Sequence, residues 1–316
     1  MTNINAVVSN PRDTFPVTPR DPLDELRLTL LNPGTTALGL QKLVGELAEI
    51  RSKRSKKAWR EYTRAFQEHS LLKVLHEDAL TARAFRKPRG YAGDGVLTDM
   101  IYGSGEGVSL LNKATALGKR IYQAAMNMPI AVATRARRDY LAAYIDEFCL
   151  ARLNPHILSI ACGHLREAAL SKTFNCGLLG RYVALDQDRR NLRVVQRSQP
   201  SVECMAASID QLMDSALNPG QFDLIYSAGL YDYLDEDTGR RLLHLLAKLM
   251  KPNGRIIIAN FLPGLDDAGY LEAAMDWWLI YRQPVDLLTM ADDVPCRSRR
   301  SFRDPLEQLA YLELSF

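Results

Sequence analysis

The chain has 316 residues with 40 Lys and Arg against 37 Asp and Glu, a formal charge of +3; 47% of it is hydrophobic and 24% charged. This suits one large globular domain with an elaboration, or two modest domains, and the near-balanced charge gives no argument for a nucleic-acid partner. Five cysteines without CxxC spacing read as buried thiols rather than a disulfide framework or metal site, and no secretory leader or apolar run of about 18 residues is visible, which fits a reducing cytoplasm and no membrane insertion.

Residues 1–22, with four prolines, read as a flexible lead-in. From Asp24 to about Leu80 the apolar spacing is helical, broken first at Pro33-Gly34, and it is helical again from Leu110 to Phe148. Residues 23–150 are therefore expected to form a mainly helical cap. Between the two helical stretches lies Lys87-Pro88-Arg89-Gly90-Tyr91-Ala92-Gly93-Asp94, too rich in glycine for a regular helix and able to fold over a ligand as a lid. The basic run Arg51 to Lys57 has no interleaved aromatics, so it reads as a solvated helix face.

At Pro155 the pattern changes. Short β-rich runs at 157–161, 181–185, 201–206, 222–227 and 255–260 alternate with helical ones, and two more strand-like segments, 298–302 and 308–315, flank Asp304-Pro305. Lys251-Pro252-Asn253-Gly254 reads as a turn before the fifth strand, and a helix is expected from about Asp266 through the aromatic run Asp276 to Arg282. Strands alternating with helices specify a parallel, doubly wound sheet over 151–316, with its ligand crevice at the carboxyl ends of the strands. The closing hairpin would make one strand antiparallel.

The run Ile157-Leu158-Ser159-Ile160-Ala161-Cys162-Gly163-His164-Leu165-Arg166-Glu167 is the most informative stretch. An apolar strand ends in Cys-Gly, a helix starts at once, and Asp186 follows about twenty residues on, the spacing of a nucleotide-binding β-α-β unit whose acid meets a ribose. A standard fingerprint would place two further glycines where Ala161 and Leu165 stand.

These features, with Ser208-Ile209-Asp210, Phe222 to Ser227 and Leu249 to Gly254 in order, resemble the class I S-adenosylmethionine-dependent methyltransferases, with a seven-stranded Rossmann-like α/β sheet. The resemblance implies S-adenosylmethionine as cofactor and S-adenosylhomocysteine as product. It implies Gly163 at the cofactor's amino-acid portion, Asp186 on the ribose hydroxyls, Asp210 on the adenine amino group and Ile209 on its ring, with Ser227 and Ala228 near the sulfonium. Ala161, Cys162, Arg166, Gln187, Ser208, Gly229 and Tyr91 complete the expected cofactor contacts. The Lys87–Asp94 segment, Asp99 to Gly103 and Asp276 to Arg282 are similar to a bacterial group named for 3-hydroxypalmitic acid methyl ester biosynthesis, a quorum signal.

Methyl transfer is an in-line displacement, so alignment in a dry pocket supplies much of the rate. A carboxylate acceptor needs a cationic clamp, for which Arg282 or Arg89 is expected; a hydroxyl or amine calls more often for a base, with His164, Asp232 or Tyr231 nearest. Tyr281 joins Arg282, His164 and Tyr231 as catalytic candidates. Arg89, Tyr91, Asp94, Tyr102, Tyr231, Tyr233, Asn260, Trp278, Tyr281 and Arg282 are the expected substrate contacts. Tyr231 and Tyr233 lie two apart and would face the same way in an extended loop, and Glu167 suits a helix dipole. A small-molecule substrate, a cytoplasmic enzyme and no metal follow; a homodimer is left open. N-methylation, an RNA or protein target and a non-catalytic cofactor-binding module stand as alternatives. Tyr226-Ser227-Ala228-Gly229 lacks the Asn-Pro-Pro-Tyr tetrad used on planar nitrogens.

Overall fold

The computed structural model describes residues 21–214 and 217–316; the expected lead-in lies outside them up to residue 20, and Pro22 already opens the first helix. The described residues before the sheet form α1 (Pro22–Leu31), α2 (Thr36–Ser52), α3 (Lys56–Glu68), α4 (Leu71–Leu75), α5 (Ala79–Arg86), α6 (Gly95–Tyr102), α7 (Gly105–Asn112), α8 (Ala116–Ala125) and α9 (Pro129–Leu150). Local chemistry sets the breaks within what the apolar spacing reads as two long helical stretches. Asp21, Ser55, Asp78, Asp94 and Thr115 each accept a backbone N–H of the helix they open, and Pro22 and Pro129 occupy first-turn positions where no N–H is needed.

The sheet contains β1 (His156–Ile160), β2 (Arg181–Asp186), β3 (Glu203–Ala206), β4 (Phe222–Ser227), β5 (Met250–Phe261), β6 (Ser298–Arg303) and β7 (Leu309–Ser315), ordered β3-β2-β1-β4-β5-β7-β6. Six strands share one direction, and β7 alone inserts antiparallel, between β5 and β6, so the closing hairpin has the expected sense. The connecting helices are α10 (Arg166–Leu170), α11 (Lys172–Asn175), α12 (Arg189–Ser198), α13 (Ile209–Met213), α14 (Glu236–Lys248), α15 (Ala268–Ala274) and α16 (Pro284–Met290).

Both sheet faces are covered, which is why the central strands read as continuous apolar runs. Successive residues enter opposite cores: Ile157, Leu224, Tyr226 and Ile257 pack under the N-terminal helices, while Leu158, Ile225, Ile256 and Ile258 pack with Leu242, Leu243 and Leu246 of α14. The cap-side core runs without interruption from Leu26 and Leu30 of α1 to the sheet. Glu272 of α15 fastens it further, accepting from Arg51 Nε (2.8 Å), Arg51 Nη2 (2.9 Å) and Trp59 Nε1 (2.5 Å).

Two sequence expectations need correction. Lys251–Gly254 lies within β5, where the register against β4 shifts and Asn253 takes φ +63°, so the turn chemistry makes a bulge. The segment from Asp276 to Arg282 is not helical. Asp276 takes the left-handed conformation (φ +46°) just after α15, and the aromatic run continues without regular secondary structure.

Candidate functional site

A cavity of about 300 Å³ opens at the carboxyl ends of the parallel strands, beneath the cap. One half is built by the turn between β1 and α10 and by the tips of β2 and β3. Ala161, Gly163 and Leu165 all take left-handed backbone (φ +53°, +56° and +51°), so the geometry that two more glycines would allow is reached without them. A Cβ added at Gly163 would meet nothing within 4 Å, which leaves the backbone there open to a ligand. Asp186 pins the turn to the sheet: its carboxylate accepts from Gly163 N (2.8 Å) and Asp188 N (2.8 Å). A carboxylate has about four acceptor sites, so capacity remains for ligand hydroxyls. Burial raises its pKa from the ordinary value, opposed by these N–H bonds.

The cap grips the other side of the same turn through Asp99 of α6, which is fully buried. It accepts from Arg166 Nε (2.6 Å) and Nη2 (2.7 Å) and faces His164 Nδ1 at 2.9 Å. Burial would raise the Asp99 carboxyl, but hydrogen bonds from Arg166 and His164 outweigh it and hold the pKa below the ordinary range. With Nδ1 turned to a carboxylate, His164 Nε2 is left buried without a partner among the described residues.

The other half of the cavity lies between α6, α9, the loop after β4 and the segment after α15. Arg137 of α9 is buried here, its guanidinium carbon 4.9 Å from the centre of the Phe261 ring. Among the described residues it gives one side-chain hydrogen bond, from Nη1 to Asp232 Oδ2 (3.4 Å), and its Nε is buried without a partner. A Cβ at Gly229 would stand 3.2 Å from Nη2, 3.4 Å from Nη1 and 3.5 Å from Cζ, so the glycine lets the loop after β4 approach the guanidinium closely. Asp232 also accepts Phe261 N (2.7 Å); burial pushes its pKa up to about 6, with Arg137 pulling the other way. Glu167 borders the same space and takes a 2.6 Å bond from Tyr226 Oη, its pKa raised by burial. Tyr91, Tyr102, Tyr233, Trp277 and Leu279 supply apolar wall.

Of the expected cofactor contacts, Tyr91, Ala161, Cys162, Gly163, Arg166, Asp186, Gln187, Ile209, Ala228 and Gly229 line the cavity. Ser208, Asp210 and Ser227 do not. Ser208 makes a capping box with Gln211, Asp210 is exposed in the first turn of α13, and Ser227 Oγ donates to the Ile160 carbonyl. Of the expected catalytic set only His164 lines it.

Arg282 is no clamp. Its Nη1 is spent on the Tyr231 carbonyl (2.6 Å) and Asn260 Oδ1 (2.9 Å), its Nη2 on the Leu234 carbonyl, and burial lowers its pKa. Asn260 is held in the same network by the Phe261 and Ile280 carbonyls. Tyr231 packs in the core against α14 and α16, because the chain turns over 231–233 and sends Tyr233 alone to the cavity. Tyr281 also lies off the cavity, beside Arg51. Trp278 bonds back to Asp276 Oδ1 (2.7 Å). Asp94 is a buried helix cap bidentate with Arg83, and Arg89, itself off the cavity, pairs with Asp188 and with Asn191 of the cavity lining. Arg137 is the residue that sequence reasoning missed, although it falls in helical phase with Ile130, Thr134, Leu141 and Tyr144 on the buried face of α9.

Two expectations follow from this geometry. Ala161→Gly relieves a left-handed alanine and should stabilise the protein by about 0.5–1 kcal/mol in urea unfolding, where a loss would show the turn unstrained. Asp232 keeps its proton to about pH 6 when folded but to about 3.8 in its ordinary state. Its contribution to stability is therefore present below about pH 4 and lost as pH rises through 6. Asp232→Asn should flatten the fall in unfolding free energy across that window; an identical slope would contradict the assignment.

Residues 158–258 match the family model described as a methyltransferase domain. No curated protein matches the chain. A crystal structure of a possible exported protein from Bordetella parapertussis is similar over 90% of this chain and 99% of that one, with TM-score 0.60 and 12% identity. The N-methyltransferase NodS from Bradyrhizobium japonicum with S-adenosyl-l-homocysteine covers 58% of this chain and 86% of its own (TM-score 0.42, 14% identity). Magnesium protoporphyrin IX methyltransferase from Synechocystis with bound SAH covers 69% and 91% (TM-score 0.46, 14% identity). With the β1 turn, the Asp186 tip and the antiparallel β7 in place, the chain carries a class I, S-adenosylmethionine-dependent methyltransferase domain.

Proposed function

We propose that the protein methylates a carboxylate oxygen on a small molecule with an apolar body, in signal or specialised-metabolite synthesis. The observation that carries this reading is Arg137, a buried guanidinium at the cavity that, among the described residues, gives one long side-chain hydrogen bond, 3.4 Å to Asp232, and leaves Nε without a partner. A planar guanidinium matches a carboxylate, and buried donors without an acceptor are costly unless a ligand supplies one. Asp232 balances part of the charge. The aromatic wall suits an apolar body, and the resemblance to the 3-hydroxypalmitic acid methyl ester group points the same way.

The residues of the turn half fit the cofactor. Gly163 leaves room for close backbone approach, Asp186 keeps acceptor capacity for ribose hydroxyls, and Ile209 offers an apolar face to the base. When bound, the cofactor supplies an electrophilic methyl on a sulfonium. The protein's part is to hold the carboxylate in line on Arg137 and to exclude water with the lid; an ionised acceptor needs no base.

A second reading, methylation of a hydroxyl, is favoured by two observations: burial pushes the Asp232 carboxyl up to about 6, and His164 Nε2 has no partner among the described residues. Labelled S-adenosylmethionine with matched acids and alcohols separates the two, since methyl esters release methanol in alkali and ethers do not. Arg137→Ala should lower kcat/KM on acids by about 100-fold, roughly 3 kcal/mol, with cofactor affinity nearly unchanged. Unchanged turnover or alkali-stable product would overturn the reading. Equal loss of cofactor affinity would instead assign the guanidinium to the cofactor's own carboxylate.

A further inference from the structure

We propose that Tyr233 and Trp277, closed against Gly93 of the lid, form an end wall that sets the length of apolar body the chamber admits. The inference rests on the reading of the substrate half above. Trp277 Nε1 donates to Tyr233 Oη at 2.7 Å, so the indole N–H is satisfied within the pair and the rings present apolar faces. All three residues line the cavity. A Cβ added at Gly93 would stand 2.5 Å from Tyr233 Oη and 3.0 Å from Trp277 Cζ2, so the lid meets the pair without slack.

The pair also faces outward. Tyr233 is 41% exposed while Trp277 is buried, which makes it the partition between chamber and solvent rather than part of the core. Its backbone is fixed on both sides: Tyr233 N bonds to the Leu230 carbonyl (3.0 Å) and Trp277 N to the Leu271 carbonyl (2.9 Å). The left-handed Asp276 reverses the chain so that Trp277 enters the cavity while Trp278 stays outside beneath Arg60. Asp276 also pairs with Lys87 at the start of the lid loop, tying lid and wall together. Non-glycine left-handed backbone persists only where the surroundings enforce it, and here it aims one ring.

The test is competition binding, in the presence of S-adenosylhomocysteine, with a homologous series of straight-chain acids and the matching primary alcohols. The wild type should tighten by about fourfold per added methylene up to a limiting length and then weaken. Tyr233→Ala and Trp277→Ala should move that limit several carbons longer in both series, with S-adenosylhomocysteine affinity intact as the check on folding. Should Trp277→Ala fail to fold, Tyr233→Ala, at the more exposed side of the wall, decides the matter. An unchanged limit with intact S-adenosylhomocysteine affinity overturns the wall. A shifted limit supports it even if acids bind no better than alcohols, an outcome that would count against the Arg137 clamp alone.

Discussion

The left-handed turn between β1 and α10 is the constraint on which the site depends. Two buried carboxylates hold it from opposite sides, Asp186 from the tip of β2 and Asp99 from the cap. Neither can lose its partners without leaving a buried charge, so sheet, turn and cap are fixed relative to one another. His164 and Arg166 sit on the turn yet direct their side chains to α6, so a ligand that orders the turn also bears on the lid. The backbone strain at Ala161 and Leu165 is local, and the packing and hydrogen bonds around them maintain it.

The two halves of the cavity differ in their charge arrangement. The turn half carries Asp186, while the charge of Arg166 is consumed by Asp99, a combination that suits a cationic cofactor. The other half sets Arg137, loosely met by Asp232 at 3.4 Å, beside the buried Glu167, so its cation lies among two carboxyl groups. In a partly enclosed cavity such differences are screened less than at the protein surface. Arg282, by comparison, gives its donors to backbone carbonyls and the Asn260 side chain, and serves to hold the loop after β4 against the segment after α15.

The sheet was legible because its strands are buried on both faces, and its breaks are marked by Gly, Pro and Asp in positions with few alternatives. The turn and Asp186 were legible through spacing alone. The aromatic run from Asp276 to Arg282 was not, since a dense apolar stretch reads alike as helix or extended chain and the left-handed Asp276 leaves no compositional mark. Tyr231 and Tyr233 separated because a turn, not an extended strand, carries them. Arg137 was hidden by its neighbours Arg135 and Arg138, which make a basic cluster that looks solvated, although helical phase puts Arg137 on the buried side. Asp94 and Arg89 belong to a lid motif, yet a motif does not say which of its side chains face inward.

The most direct measurement is calorimetric titration of S-adenosylmethionine into the wild type and Asp186→Ala. The account predicts one binding site per chain in the wild type. In the variant, affinity should fall by about 10–100-fold, the loss of one or two hydrogen bonds to ribose together with a loosened Gly163 turn. No heat from the wild type at millimolar cofactor, or an unchanged dissociation constant in the variant, would contradict it.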